Sequence, residues 1–190
     1  IIDVTSVDVD GFHEWDHGFD YYAPQVFEDS QGRSICIGWM GTFDPRLEYT
    51  PEGMDRCHTL TLPRTLSSSA DGCLCQWPVR ELEGYRSEPL PLEAGHDMHM
   101  DGLAADIVLA SLNGSDGELW LNGSLCVFRD QGSFGVRFAQ NDEVRSVAGG
   151  RTTRRIRLRE LRSLRVIVDA STVEVYANDG REVLSTRWFP

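Results

Sequence analysis

Ten consecutive residues, Asp16-His17-Gly18-Phe19-Asp20-Tyr21-Tyr22-Ala23-Pro24-Gln25, carry the densest set of groups in this chain that could read a polar ring. Carboxylates and amides hydrogen-bond hydroxyl groups, and aromatic faces stack on the apolar faces of sugar rings. The same residue types also suit a polar loop that enters a strand and bonds its neighbours. Composition alone leaves both readings open.

The elements that would hold these residues are strands. Gln25–Asp29, the turn Ser30-Gln31-Gly32-Arg33 and Ser34–Met40 read as a hairpin. Residues 41–60 are irregular. Leu60, Leu62 and Leu66 surround Pro63, which predicts a short edge strand at most, because proline donates nothing to a ladder. Asp71-Gly72 signals a turn, and Leu74 to Val79 is extended again. Glu81 to Arg86 predicts a single helical turn. Pro89, Pro91 and Gly95 mark a linker, which divides the chain into 1–86 and 87–190.

Beyond the linker come short runs: Ala104–Leu112, Glu118–Phe128, Phe134–Ala139, Thr153–Leu158, Leu164–Asp169, Thr172–Ala177 and Glu182–Phe189. They are punctuated by Asn113-Gly114, Asn122-Gly123, Gly149-Gly150 and Asn178-Asp179-Gly180. Such spacing predicts a sandwich or barrel. Val173 and Val175 alternate with Thr172, Glu174 and Tyr176, the pattern of a strand with one buried face. The fold class expected is all-β.

A net charge of −12 argues against nucleic acid as a partner. No apolar run approaches the roughly 18 residues of a membrane span. Five cysteines, Cys36, Cys57, Cys73, Cys75 and Cys126, are odd in number and irregular in spacing. They read as free thiols rather than a disulfide framework, which suits a reducing cytoplasm. Cys73-Leu74-Cys75 lacks a second pair at zinc spacing, so no metal or cofactor is expected.

The order of residues adds more. Asp16 to Gln25 resembles the Asp-x-Gly-x-Asp-Phe-Tyr-Ala-x-Gln signature of the invertase-like glycoside hydrolases of family 32, with Tyr21 at the usual Phe. Ile35 to Gly41 is similar to that family's Ile-x-Ile-Gly-Trp-Met-Gly strand, and Leu60 to Arg64 to its Leu-Thr-Leu-Pro-Arg segment. Gly72 to Leu82, Val168 to Gly180 and the closing Arg187-Trp188-Phe189-Pro190 also match in order; residues 95–160 match weakly.

The resemblance implies the last part of a five-bladed β-propeller over 1–86 and a C-terminal β-sandwich over 87–190. It implies cleavage of sucrose, sucrose 6-phosphate or related β-fructosides by a retaining mechanism, with one carboxylate as nucleophile and one as acid/base. The family's nucleophile motif Trp-Met-Asn-Asp-Pro-Asn-Gly, its Arg-Asp-Pro and its Glu-Cys motif are all absent from the 190 residues. Phe43-Asp44-Pro45 lacks the Arg and follows the Asp16 signature instead of preceding it. The chain is therefore expected to hold no catalytic residue and to be inactive alone, with the carboxylates upstream. Asp16 is expected to bind sugar at the active-site rim. Tyr22, Gln25 and Trp39 are candidates for the funnel wall, with core packing an equal reading for Trp39. Phe19 stands where some relatives carry Lys.

Seven arginines fall between Arg151 and Arg165. The alternation Arg155-Ile156-Arg157-Leu158-Arg159 favours a solvated strand face paired with carboxylates over a phosphate site. A stand-alone sugar-binding or assembly module remains the alternative, since sandwiches also serve as lectins and interfaces. Strands lacking neighbours are expected to promote self-association.

Overall fold

A computed structural model describes residues 13–41, 57–139 and 152–190. Phe43-Asp44-Pro45 and Arg151 lie outside them. The described residues form thirteen strands in three antiparallel sheets.

The first sheet has the order β1 (Tyr22–Glu28), β2 (Ser34–Met40), β4 (Arg64–Ser68), β5 (Leu74–Pro78), with the two-residue β3 (Thr59–Leu60) also on β2. β3 pairs with Trp39 and Met40, and β4 pairs with Ile35 and Cys36 on the same side of β2. Pro63 sits between these pieces, and its carbonyl accepts from Val79 N at 3.0 Å. The expected lone edge strand is thus corrected. Proline interrupts the edge locally, and β4 continues as an interior strand. A 3₁₀ turn, Arg80–Tyr85, closes this unit. Arg33 ties it back to the β1–β2 turn through Glu81 at 2.8 Å. Every residue of β1 is exposed.

Two four-stranded sheets follow, after an exposed stretch without strands from 87 to 103. One has the order β10 (Thr153–Arg157), β9 (Ser133–Phe138), β8 (Leu125–Asp130), β7 (Gly117–Leu121). The other has the order β13 (Glu182–Arg187), β12 (Thr172–Ala177), β11 (Leu164–Asp169), β6 (Ala104–Leu109). The turns use residues that tolerate the left-handed region. Gln131 and Gly132 have φ of 45° and 80°, and they form the two-residue link between the paired Asp130 and Ser133. The run Glu118–Phe128 is split at Asn122-Gly123, where φ is 45° and 63°.

The inner faces of these sheets supply one core, including Leu125, Val127, Phe134, Val136, Val166, Val173, Val175 and Leu184. Each such side chain contributes about 1.5–3 kcal/mol relative to exposure. Trp188 and Phe189 close the core, and Trp188 Nε1 donates to Ser124 Oγ at 2.9 Å.

β12 departs from expectation: all six residues are buried, not one face. The sheet's second face is covered by the first sheet, so Glu174 and Tyr176 lie between two layers. The alternation of apolar and polar residues here separates two kinds of interior. β10 keeps the expected alternation, with Arg155 and Arg157 exposed and Ile156 packed on the core.

Candidate functional site

The aromatic group lies at the start of β1. Tyr22 stands opposite Trp39, and Gln25 opposite Ile37, so one extra residue is inserted in β1. Ala23, with φ of 46°, marks this bulge. Directly paired residues share a sheet face. The bulge therefore puts Tyr22 and Gln25 on one face with Trp39, although three positions apart. The Tyr22 and Trp39 rings meet edge to face at 6.1 Å, and His58 meets Trp39 in the same manner at 5.0 Å. Gln25 is exposed, and its Nε2 donates to Pro24 O at 3.1 Å.

Two glycines make room for aromatic rings. A Cβ on Gly41 would lie 2.7 Å from the Trp39 indole of this group, and one on Gly38 would lie 2.3 Å from the ring of Tyr21, which belongs to the buried cluster with Arg64. His58 was not singled out from sequence, because it follows an irregular stretch and carries no motif of its own.

Asp16 does not join this wall. Its side chain is 0% exposed. Oδ1 accepts from Gly18 N at 2.9 Å and Ser185 N at 2.8 Å; Oδ2 accepts from Ser185 Oγ at 2.6 Å and Arg64 Nη1 at 3.1 Å. Both oxygens are fully engaged with protein groups, so the expected direct sugar contact of Asp16 does not fit this geometry. Gly18 allows the approach: a Cβ there would lie 1.9 Å from Ser185 O.

Asp16 belongs to a buried charged cluster between the layers. Arg64 donates through Nε and Nη2 to Glu174 Oε2 at 3.1 and 2.6 Å, and through Nη1 to Gln76 Oε1 at 3.1 Å. Glu174 also accepts from Leu62 N at 2.6 Å and from the Tyr176 hydroxyl at 2.6 Å. The guanidinium lies 5.2 and 5.4 Å from the Tyr21 and Tyr176 ring centres. Burial opposes the Arg64 charge, but the Glu174 and Asp16 carboxylates outweigh it and hold its pKa well above the ordinary value. Burial also pushes both tyrosines up, which keeps their hydroxyls protonated, and that of Tyr176 donates to Glu174. Gln76 completes the cluster by donating Nε2 to Trp15 O.

A second buried pair lies beside it. Arg187 Nε and Nη2 donate to Asp20 Oδ1 at 3.1 and 3.0 Å, and Arg187 N to Asp20 Oδ2 at 2.8 Å. Burial raises the Asp20 pKa despite the opposing Arg187 charge. Asp20 N in turn donates to Ser185 O at 3.1 Å. At the rim, His17 is bracketed by Glu182 Oε2 at 3.1 Å and Glu14 Oε2 at 3.3 Å.

The arginine-rich stretch does not act as one patch. Arg165 bonds Asp106 at 3.0 and 2.8 Å and lies 5.4 Å from the Trp77 ring centre. Arg154 Nε donates to the carbonyls of His17 and Gly18. All five cysteines are free. Among the described residues no group of three His, Cys, Asp or Glu side chains could hold a metal ion, and no helix is long and apolar enough to cross a membrane.

Buried ion pairs thus hold a propeller-type sheet against a β-sandwich. Residues 3–78 match the model for the N-terminal domain of glycosyl hydrolases family 32, and residues 121–190 match the model for its C-terminal domain. The chain belongs to this family, as its C-terminal portion. Its fold is all-β, the last part of the propeller followed by the sandwich. It is 33% identical to a sucrose-6-phosphate hydrolase of Bacillus subtilis over 94% of this chain and 38% of that protein. It is 31% identical to a raffinose invertase of Escherichia coli over 94% of this chain and 39% of that protein. The solved sucrose-6-phosphate hydrolase of Lactobacillus gasseri superposes with a TM-score of 0.69 at 25% identity, covering 92% of this chain and 38% of that one. The chain thus spans well under half the length of these relatives.

Proposed function

We propose that this chain is part of a hydrolase that cleaves the fructosyl–glucose bond of sucrose, sucrose 6-phosphate or a related β-fructoside. Its own contribution is one aromatic wall of the active-site funnel. The Tyr22–Trp39–His58 group, with Trp39 half-buried between the exposed Tyr22 and His58 and with Gln25 on the same strand pair, carries this reading. Aromatic rings offer apolar surface on which a sugar ring stacks, and a side-chain amide on the same strand pair offers hydrogen bonds to its hydroxyls. Asp16 serves the wall from behind, by holding its segment to the sandwich. The nucleophile and the acid/base come from residues outside this chain, because no matching motif occurs in it. Five free thiols suit a reducing cytoplasm.

The test compares the longer gene product with the 190-residue chain on sucrose and on sucrose 6-phosphate. The longer protein is expected to release fructose or fructose phosphate, and the 190-residue chain to release none. Turnover by the short chain would overturn the assignment of catalysis elsewhere. Failure of the longer protein on every β-fructoside would overturn the function itself.

A further inference from the structure

We propose that Arg187, in the last strand of the sandwich, is a positioning residue for the aromatic wall; this rests on the function proposed above. Its side chain is 0% exposed, and its guanidinium points two ways. Nε and Nη2 hold Asp20, two residues before Tyr22. Nη1 donates to the carbonyl of Cys57 at 2.8 Å, one residue before His58. The two segments gripped by this one group are those that bring Tyr22 and His58 into contact with Trp39.

β1 is exposed along its whole length, and a bulge separates the Tyr22–Trp39 pair from the regular ladder. The β3 strand that follows His58 is only two residues long. The clamp therefore ties both segments of the wall to a third point, in another sheet. Arginine alone among the side chains can make both contacts at once. Its planar fork serves a carboxylate with two nitrogens and a carbonyl with the third, whereas a lysine ammonium is a point donor on a flexible stem. The sandwich then acts in substrate binding without touching substrate.

The experiment has two arms. In the 190-residue chain, the His58 ring and Trp39 indole NMR signals are followed in Arg187→Lys and Arg187→Met. Arg181→Gln serves as control; it removes the exposed pair with Asp71, at 2.6 Å, between the same two layers. Arg187→Lys is expected to shift His58 and Trp39 while Trp120, on the far sheet, stays in place, and Arg181→Gln is expected to move none of them. In the longer gene product, Arg187→Lys is expected to raise KM for the substrate about five- to tenfold with kcat within about twofold, the mark of lost binding rather than lost chemistry. Should Arg187→Met fail to fold, Arg187→Lys alone decides. Unmoved His58 and Trp39 signals would overturn the clamp, as would a wild-type KM or a fall in kcat alone. If the longer protein cleaves no β-fructoside, the function falls, while the NMR arm still decides the clamp.

Discussion

His17 sits where charge, burial and a layer boundary meet. Its imidazole faces Glu182 from β13 and Glu14 from its own segment, while Arg154 of β10 holds its carbonyl and approaches Glu14 at 3.8 Å. The hydrogen bond to Glu182 raises its pKa above 6.5, against partial burial, with Glu14 adding to the rise. A raised histidine pKa means that the folded state binds the proton more tightly. Its stabilisation is therefore full below the unfolded value and is lost as pH rises through the folded one. His17→Gln is expected to lower the melting temperature by about 2–4 °C at pH 5.5, the response of a chain this size to about 1 kcal/mol. At pH 9 the difference should vanish. Thermal scans of both proteins at the two pH values check this, and a difference that grows with pH would refute it. Arg64 sits deeper. Removing one partner of a buried pair leaves an uncompensated charge and costs about 3–5 kcal/mol, so Arg64, Asp16 and Glu174 must change together or not at all.

Among the elements, the β12–β13 hairpin bears the closest contact between layers. Gly180 in its turn has φ of +79°, and a Cβ there would lie 1.8 Å from Gln76 O. Gln76 N donates to Gly180 O at 2.9 Å, so turn and β5 are locked backbone to backbone. Gly180→Ala must bear left-handed strain of about 1–2 kcal/mol and overpacking of about 1–3 kcal/mol. Gly32 has φ of +74° and nothing within 4 Å, so Gly32→Ala bears the strain alone. Urea unfolding of both variants should show the larger loss for Gly180→Ala, and equal losses would contradict the close approach. The same hairpin presents Asn178, whose Oδ1 accepts from Arg162 N at 2.8 Å, so the Asn-Asp-Gly run is a structural turn.

At the scale of the whole molecule, the described strands of the sandwich share one core, whereas β1 of the blade is exposed along its length. Tyr22, Val26 and Phe27 on β1 are about half exposed or more, at 53%, 49% and 49%. Among the described residues β1 is also the end strand of the first sheet, next to β2. An apolar edge strand is a template for another chain. The 190-residue chain is expected to self-associate with rising concentration. Light scattering of the chain and of its edge-breaking variant Val26→Lys measures it. A short chain that stays monomeric at every concentration would contradict the open edge.

Much of the fold was legible in the residues. The strands, the turns at Gly32, Gly72 and Asn122-Gly123, and the strand-free stretch around Pro89 and Pro91 follow from local rules, since turn conformation and strand alternation depend on near neighbours. The ordered motifs pointed to the family and to Tyr22, Gln25 and Trp39, which the structure does bring to one strand pair. The partners of the charges were not legible. Asp16 and Asp20 look like ligand groups, yet Ser185 and Arg187 lie 169 and 167 residues away in sequence, and only packing of the blade on the sandwich brings them together. Glu174 alternates with valines as a solvent-facing residue would, but the second layer buries it beside Arg64 at 2.6 Å. Local pattern determines which residues face opposite ways along a strand. Only the tertiary structure decides what each face meets, and at Asp16 that was an arginine and a serine in place of a sugar.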